Sequence, residues 1–143
     1  MMTSDMLSKL MRSLIKHEGY RRLPYLDTKG YITLGIGYNL SARGIDDNWI
    51  NTTCKNDVRD NYNALIEHFP WFLKLSADRQ IILLDMSFMG IRRLLEFEEM
   101  LKALEIGDFE KAADEMLNSI WATEVKGRAT DLANAMRTGK YEI

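Results

Sequence analysis

Two carboxylates and a hydroxyl lie close together near the start of the chain, in the segment HEGYRRLPYLDTKGYITLGIGYNL at 17–40. Glu18 comes first, Asp27 follows after eight intervening residues, and Thr33 after five more. Two carboxyl groups can flank a glycosidic bond, where one protonates the leaving oxygen and the other activates water or attacks the sugar. A glycoside hydrolase site is one interpretation. A helix-end Glu and a turn Asp that share no chemistry are the alternative, since this spacing also arises by chance.

The two carboxyl groups are expected to have unlike environments. Glu18 lies one helical turn after Leu14 on an apolar helix face, where loss of water would favour the protonated form that a general acid needs. Asp27 begins the turn 27–30, DTKG, where backbone amides would keep its carboxylate ionised. Such a contrast is the division between acid and base that a glycosidase requires.

Local sequence patterns predict the elements that position these groups. Apolar residues recur at three- and four-residue steps over 6–15, which predicts an amphipathic helix that ends at Glu18. Between 20 and 38, short β-branched and aromatic runs alternate with glycines, which predicts a small sheet with a hairpin at Asp27. The helix would carry the first carboxylate and the sheet the second.

The remainder of the chain is predicted to be helical. The helix predicted over 76–89 is apolar on nearly every side, so we expect it in the centre of the domain. A helix, a small sheet and then a run of helices make an α+β fold. The predicted helices cover 51–69, 76–89, 94–104, 109–121 and 128–137.

Composition excludes several classes of protein. The chain has 143 residues, 46% of them apolar, which suits one globular domain, and its net charge of −2 gives no basic excess for nucleic acid. Cys54 cannot form an internal disulfide and is expected to be a core residue. The first 20 residues do not resemble a signal peptide, and no apolar run is long enough for stable membrane insertion. We therefore expect synthesis in a cytoplasm without an export signal.

The pattern E-x8-D-x5-T of Glu18, Asp27 and Thr33 resembles the catalytic signature of phage-type lysozymes (glycoside hydrolase family 24), the family of the T-even phage lysozyme. Further similar segments are LLDMSFMG (83–90), GDFEKAADEML (107–117) and GRATDLANAMRTGKY (127–141). The resemblance implies a mostly helical, lysozyme-like α+β fold in a single domain, 1–143. Its active-site cleft would lie between a small antiparallel β-sheet lobe, at about 19–40, and a helical lobe.

The resemblance also implies a reaction. Glu18 would be the general acid, Asp27 would activate the attacking water and Thr33 would position that water. The activity would be that of an endolysin-type muramidase, which hydrolyses the β-1,4 bond between N-acetylmuramic acid and N-acetylglucosamine in peptidoglycan, with inversion and with no cofactor or metal.

Four more residues are implied by position. Asn39 and Phe88 would bind the saccharide, with core packing as the alternative for Phe88. Arg128 would support the carboxylate region. Tyr38 stands where the T-even enzyme has a histidine, so it would support the site without a histidine ion pair. The turn at 89–96 is one residue shorter than usual in the family.

The expected partner is peptidoglycan, attacked by a monomer in the periplasm after a holin or a delivery device has released the protein from the bacterial cytoplasm. Two alternatives stay open. A lytic transglycosylase would use the muramic 6-hydroxyl as nucleophile, but then Asp27 and Thr33 would have no water to handle. A catalytically inactive wall-binding or inhibitory module would retain the cleft alone. The sequence pI of 5.7 and the short turn at 89–96 are compatible with this inactive module.

Overall fold

Nine α-helices, one short 3-10 helix and a three-stranded antiparallel sheet make up the protein, which a computed structural model describes from Met1 to Ile143. The structure is 67% helical, and this α+β layout confirms the predicted fold class. The chain forms two compact units, Met1–Thr52 and Thr53–Ile143. The prediction of a single lysozyme-like domain stays a prediction.

The first unit carries the sheet. Helix α1 begins after Thr3, whose Oγ1 accepts a hydrogen bond from the Met6 amide at 3.2 Å, and no residue of α1 is buried. Gly19 ends the helix with a φ of +84°, a conformation that glycine adopts without strain. The elements are α1 (Ser4–Glu18), β1 (Arg21–Leu26), β2 (Ile32–Gly35), β3 (Tyr38–Asn39) and α2 (Leu40–Arg43).

Thr33 lies at the centre of the sheet. It is paired with Tyr25 of β1 on one side and with Asn39 of β3 on the other. The register of β1 on β2 is irregular between Arg21 and Tyr25, and Pro24 falls in this stretch, where its missing N–H removes a ladder bond. Because it is flanked on both sides, Thr33 is 5% exposed and is the buried residue of this sheet.

The second unit holds the hydrophobic core. Every buried apolar side chain falls between Leu65 and Met136, so the core belongs to the helices that follow the sheet. Helix α3 begins before the boundary between the units and ends within the second. The elements are α3 (Asp47–His68), the 3-10 helix (Phe72–Lys74), α4 (Ala77–Ser87), α5 (Ile91–Leu95), α6 (Glu98–Ile106), α7 (Phe109–Leu117), α8 (Ile120–Val125) and α9 (Gly127–Thr138).

Several predicted helix bounds differ from the structure. The single helix expected over 109–121 is two helices, because Asn118 leaves the helical conformation and Ser119 accepts a hydrogen bond from the Ala122 amide to begin α8. The helix expected over 94–104 is likewise divided between α5 and α6. Periodicity continues through such breaks, since the apolar face does not change direction enough to reveal them.

One of two predictions about burial is corrected. Cys54 is exposed on α3 and is not a core residue, because the only buried residue of this helix is Leu65 near its end. Helix α4 does contribute Ile82, Leu83 and Met86 to the core. No helix has the length and the apolar character needed to span a bilayer.

The N-terminus of α7 provides a test of the helical packing. Asp108 Oδ1 accepts a hydrogen bond from the Lys111 amide at 3.1 Å, and α7 supplies Met116 to the core. We expect Asp108→Ala to lower the free energy of unfolding by about 1 kcal/mol, which is a fall of about 4 °C in Tm measured by thermal unfolding. Asp108→Asn keeps the acceptor and serves as the control; an equal loss in both variants would contradict the capping role.

Candidate active site

Asp27 is held by the turn that follows it. Its Oδ1 accepts hydrogen bonds from the backbone N–H groups of Lys29 and Tyr31, both at 2.9 Å, and the Gly30 amide donates to the Asp27 carbonyl at 3.0 Å. Gly30 has a φ of +82°, which closes the turn. Two donors on one oxygen fix the carboxylate, and neither of these amides donates to Oδ2.

Thr33 is tied to Asp27 through a shared residue. Thr33 Oγ1 donates to the Tyr31 carbonyl at 3.1 Å, and the Asp27 amide donates to the same carbonyl at 2.9 Å. Because Tyr31 also donates its own amide to Asp27 Oδ1, its backbone connects both predicted residues. The structure therefore brings Asp27 and Thr33 into one hydrogen-bonded group.

Glu18 is the last residue of α1, in the same unit as Asp27. Its side chain is exposed, so the expectation of a desolvated carboxyl on an apolar helix face is wrong in this structure. The physical reason is that α1 buries none of its residues, so its apolar stripe provides no low-dielectric surroundings for the carboxyl group.

The turn between β2 and β3 lies against Glu18. A Cβ placed on Gly37 would be 2.7 Å from Glu18 Oε2 and 3.1 Å from Glu18 Cβ, both shorter than ordinary van der Waals contact. The absence of a side chain at residue 37 therefore makes room for the Glu18 carboxyl group. This contact places Glu18, the first predicted catalytic residue, beside the turn that follows β2, the strand that carries Thr33.

Asn39 and Tyr38 both have structural partners in this unit. Asn39 Oδ1 accepts from the Ala42 amide at 3.0 Å and begins α2. The Tyr38 hydroxyl donates to the Gly44 carbonyl at 2.6 Å, and the Arg43 guanidinium lies 4.3 Å from the ring centroid. Tyr38 thus anchors the segment after the sheet. Saccharide binding by Asn39 stays a prediction and would use its amide nitrogen, since the oxygen is engaged.

In the second unit, Phe88 is not a core residue. Its side chain is 46% exposed, and it lines a cavity of about 310 Å³ together with Asp57, Asp60, Asn61 and Ser87. An aromatic face beside carboxylate and amide groups is a surface to which a sugar can bind, because the ring packs against C–H groups while the polar groups take the hydroxyls. The structure therefore favours an exposed role for Phe88 over the core-packing alternative.

Arg128 is engaged by a carboxylate that the sequence analysis did not identify. Its Nε donates to Asp85 Oδ1 at 2.9 Å, and its Nη2 donates to the Asp85 carbonyl at 3.0 Å. Asp85 lies on α4, so this contact joins the start of α9 to α4 within the helical unit. The structure shows this contact with Asp85, and the predicted support of the carboxylate region by Arg128 stays a prediction.

A larger cavity of about 440 Å³ lies elsewhere in the helical unit, with Phe97 and Trp121 among its lining residues. Its acidic rim includes Glu99, whose pKa is lowered by hydrogen bonds and charge from Lys102 and then Lys111. Stability from this group is therefore present above the ordinary glutamate pKa and is lost as the pH falls below it. Nowhere in the chain are three or more His, Cys, Asp or Glu side chains grouped as metal ligands would be.

Comparison with known proteins finds relatives whose names describe lysozymes. No protein-family model matches the chain. The probable T4-type lysozyme 1 of Dictyostelium discoideum is 26% identical over 164 aligned positions, which cover 94% of this chain and 96% of the relative. The chain is similar to T4-type lysozymes. The probable T4-type lysozyme 2 of the same organism is 27% identical with the same coverage.

A phage protein is similar over the same length. The pre-baseplate central spike protein Gp5 of Enterobacteria phage T4 is 27% identical over 170 aligned positions, which cover 98% of this chain. The chain spans 30% of the length of that spike protein. The similarity to the two T4-type lysozymes and to this spike protein therefore extends over nearly the whole chain.

Three residues that contact the predicted site residues were not identified from the sequence. Tyr31 acts through its backbone, which no side-chain pattern reveals. Asp85 is the partner of Arg128 but lies 43 residues away. Gly37 had a signal, because it belongs to the Gly-Ile-Gly run, but the run alone does not show which side chain approaches it.

Proposed function

We propose that the protein is a muramidase, a glycoside hydrolase of family 24 that cleaves the β-1,4 bond between N-acetylmuramic acid and N-acetylglucosamine. The observation that carries the proposal is the hydrogen-bonded group of Asp27, Tyr31 and Thr33 on the sheet next to which Glu18 lies. The names of the Dictyostelium relatives, T4-type lysozymes, support it.

The hydrogen bonds of Asp27 and Thr33 suit the handling of a water molecule. Asp27 Oδ1 already accepts two backbone N–H groups, so Oδ2 is the oxygen that takes a proton from water. The Thr33 hydroxyl already donates its hydrogen bond to the Tyr31 carbonyl, so towards water Oγ1 can only accept a hydrogen bond. A water that donates one O–H to each residue directs its oxygen lone pairs at the anomeric carbon.

The proposed reaction is a single displacement with inversion. Glu18 gives its proton to the glycosidic oxygen as the C–O bond breaks, while the water attacks from the opposite face and loses a proton to Asp27. An inverting enzyme needs about 6.5–9.5 Å between its two carboxyl groups to leave room for that water. We propose a separation in this range for Glu18 and Asp27.

Phe88 and Asn39 are proposed to bind the saccharide, with no cofactor or metal in the reaction. The proposed partner is peptidoglycan, attacked by a monomer in the periplasm. A bacterial cytoplasm is the proposed place of synthesis, with release by a holin or by a delivery device. The name of the phage relative, a central spike protein, favours the device.

The test is mass spectrometry of the soluble products that the protein releases from purified peptidoglycan. Muropeptides that end in a reducing N-acetylmuramic acid are expected. Anhydro-muramic ends would show a lytic transglycosylase instead, because the 6-hydroxyl would then have displaced the leaving group. Folded protein that sediments with the wall but releases no product would show a binding or inhibitory module.

A further inference from the structure

Gly37 is the residue whose replacement would most directly disturb Glu18. A Cβ on Gly37 would be 2.7 Å from Glu18 Oε2, 3.0 Å from its Cδ and 3.1 Å from its Cβ. Side-chain atoms in folded proteins essentially never approach a Cβ as closely as the first of these distances, so a larger residue at this position must displace the carboxyl group.

A neighbouring glycine offers a matched comparison. Gly35 has a φ of +63° and Gly37 a φ of +65°, so a side chain at either position adopts the same unfavourable left-handed backbone. A Cβ on Gly35, however, would meet no atom within 4 Å. The two positions therefore share the backbone cost and differ in the contact with Glu18.

We propose that Gly37 is a positioning residue for the general acid, because its lack of a side chain lets the Glu18 carboxyl group lie where the glycosidic oxygen is protonated. The inference rests on the proposed muramidase function. It assigns to the second glycine of the Gly-Ile-Gly run a part in the reaction beyond the shape of the turn between β2 and β3.

The energetics separate this role from a role in folding. The two nearest atoms, Oε2 and Cδ, belong to the exposed, flexible end of the Glu18 side chain and can turn away at little cost in stability. Glu18 Cβ, at 3.1 Å, is fixed to the helix, so the turn must also shift by a few tenths of an ångström. Proton transfer is far less tolerant, since a misplacement of about 1 Å can reduce a rate about 100-fold. A side chain at residue 37 should thus cause a large fall in kcat and only a small fall in the free energy of unfolding.

The experiment compares Gly37→Ala with Gly35→Ala, each measured for Tm and for kcat and KM on solubilised peptidoglycan, with Glu18→Gln alongside. Similar falls in Tm are expected for both alanine variants. For Gly37→Ala, kcat should fall about 10- to 100-fold while KM stays within about twofold. For Gly35→Ala, kcat should stay within about threefold, because the carboxyl group is not displaced.

A second pair guards against loss of folding. Asparagine adopts the left-handed conformation more readily than alanine, so Gly37→Asn and Gly35→Asn keep the comparison in folded protein. Equal kcat values within a pair would overturn the positioning role and leave the muramidase proposal intact. Full activity of Glu18→Gln would instead overturn the proposed function, and the positioning role with it.

Discussion

Glu18→Gln is expected to lower kcat on peptidoglycan by about 10²–10⁴-fold or more, the usual contribution of a general acid. Glutamine matches glutamate in size and can still contact Gly37, but it has no acidic proton for the leaving oxygen. The side chain is exposed, so Tm should change little. The measurement is release of reducing ends, together with thermal unfolding of each variant.

The control for Glu18→Gln is the same exchange at Glu105, an exposed residue of α6 that lines neither cavity. Glu105→Gln should retain wild-type kcat and Tm. Undiminished reducing-end release by folded Glu18→Gln would show that the catalytic acid lies elsewhere and would remove the main support for the mechanism.

Asp27→Asn is expected to reduce kcat about 100-fold or more, in the range of general base catalysis. Asparagine keeps an oxygen that can accept the Lys29 and Tyr31 amides, so the turn and Tm should be preserved. It cannot take the proton from water, because the amide is not basic. A loss of kcat without a loss of Tm would therefore separate the catalytic role of Asp27 from its role in the turn. Both quantities are measured on the same preparations.

Two comparisons make the result for Asp27 decisive. Asp27→Ala removes the acceptor as well as the base, so Tm should fall by the equivalent of about 1 kcal/mol. Asp46 accepts the Trp49 amide at 2.7 Å in a similar local arrangement, and Asp46→Asn should change neither quantity. If Asp27→Asn lost stability like Asp27→Ala, or kept its activity, Asp27 would be a structural residue and not the base.

Local chemistry explains why the frame of the site was predictable. The turn at Asp27 depends on residues within four positions of it, so DTKG was enough to place it. The end of α1 next to Gly19 depends on one glycine. The α+β order likewise follows from periodicity that each segment carries by itself.

Burial was harder to predict than secondary structure. Glu18 and Cys54 were both expected in apolar surroundings, and both are exposed. Phe88, with core packing as its main alternative, is half exposed and lines a cavity. An apolar stripe shows which face of a helix can be buried, but the packing of other elements decides whether it is.

The amino-acid sequence by itself determined the order of the elements, the turn that holds Asp27 and the spacing that suggested a lysozyme. Only the tertiary structure decided that Gly37 makes room for Glu18 and that Asp85 engages Arg128. The physical reason is the separation in sequence over which each interaction acts. Capping, turn formation and periodicity act within a few residues, whereas these contacts join residues far apart in sequence and exist only after the elements have packed.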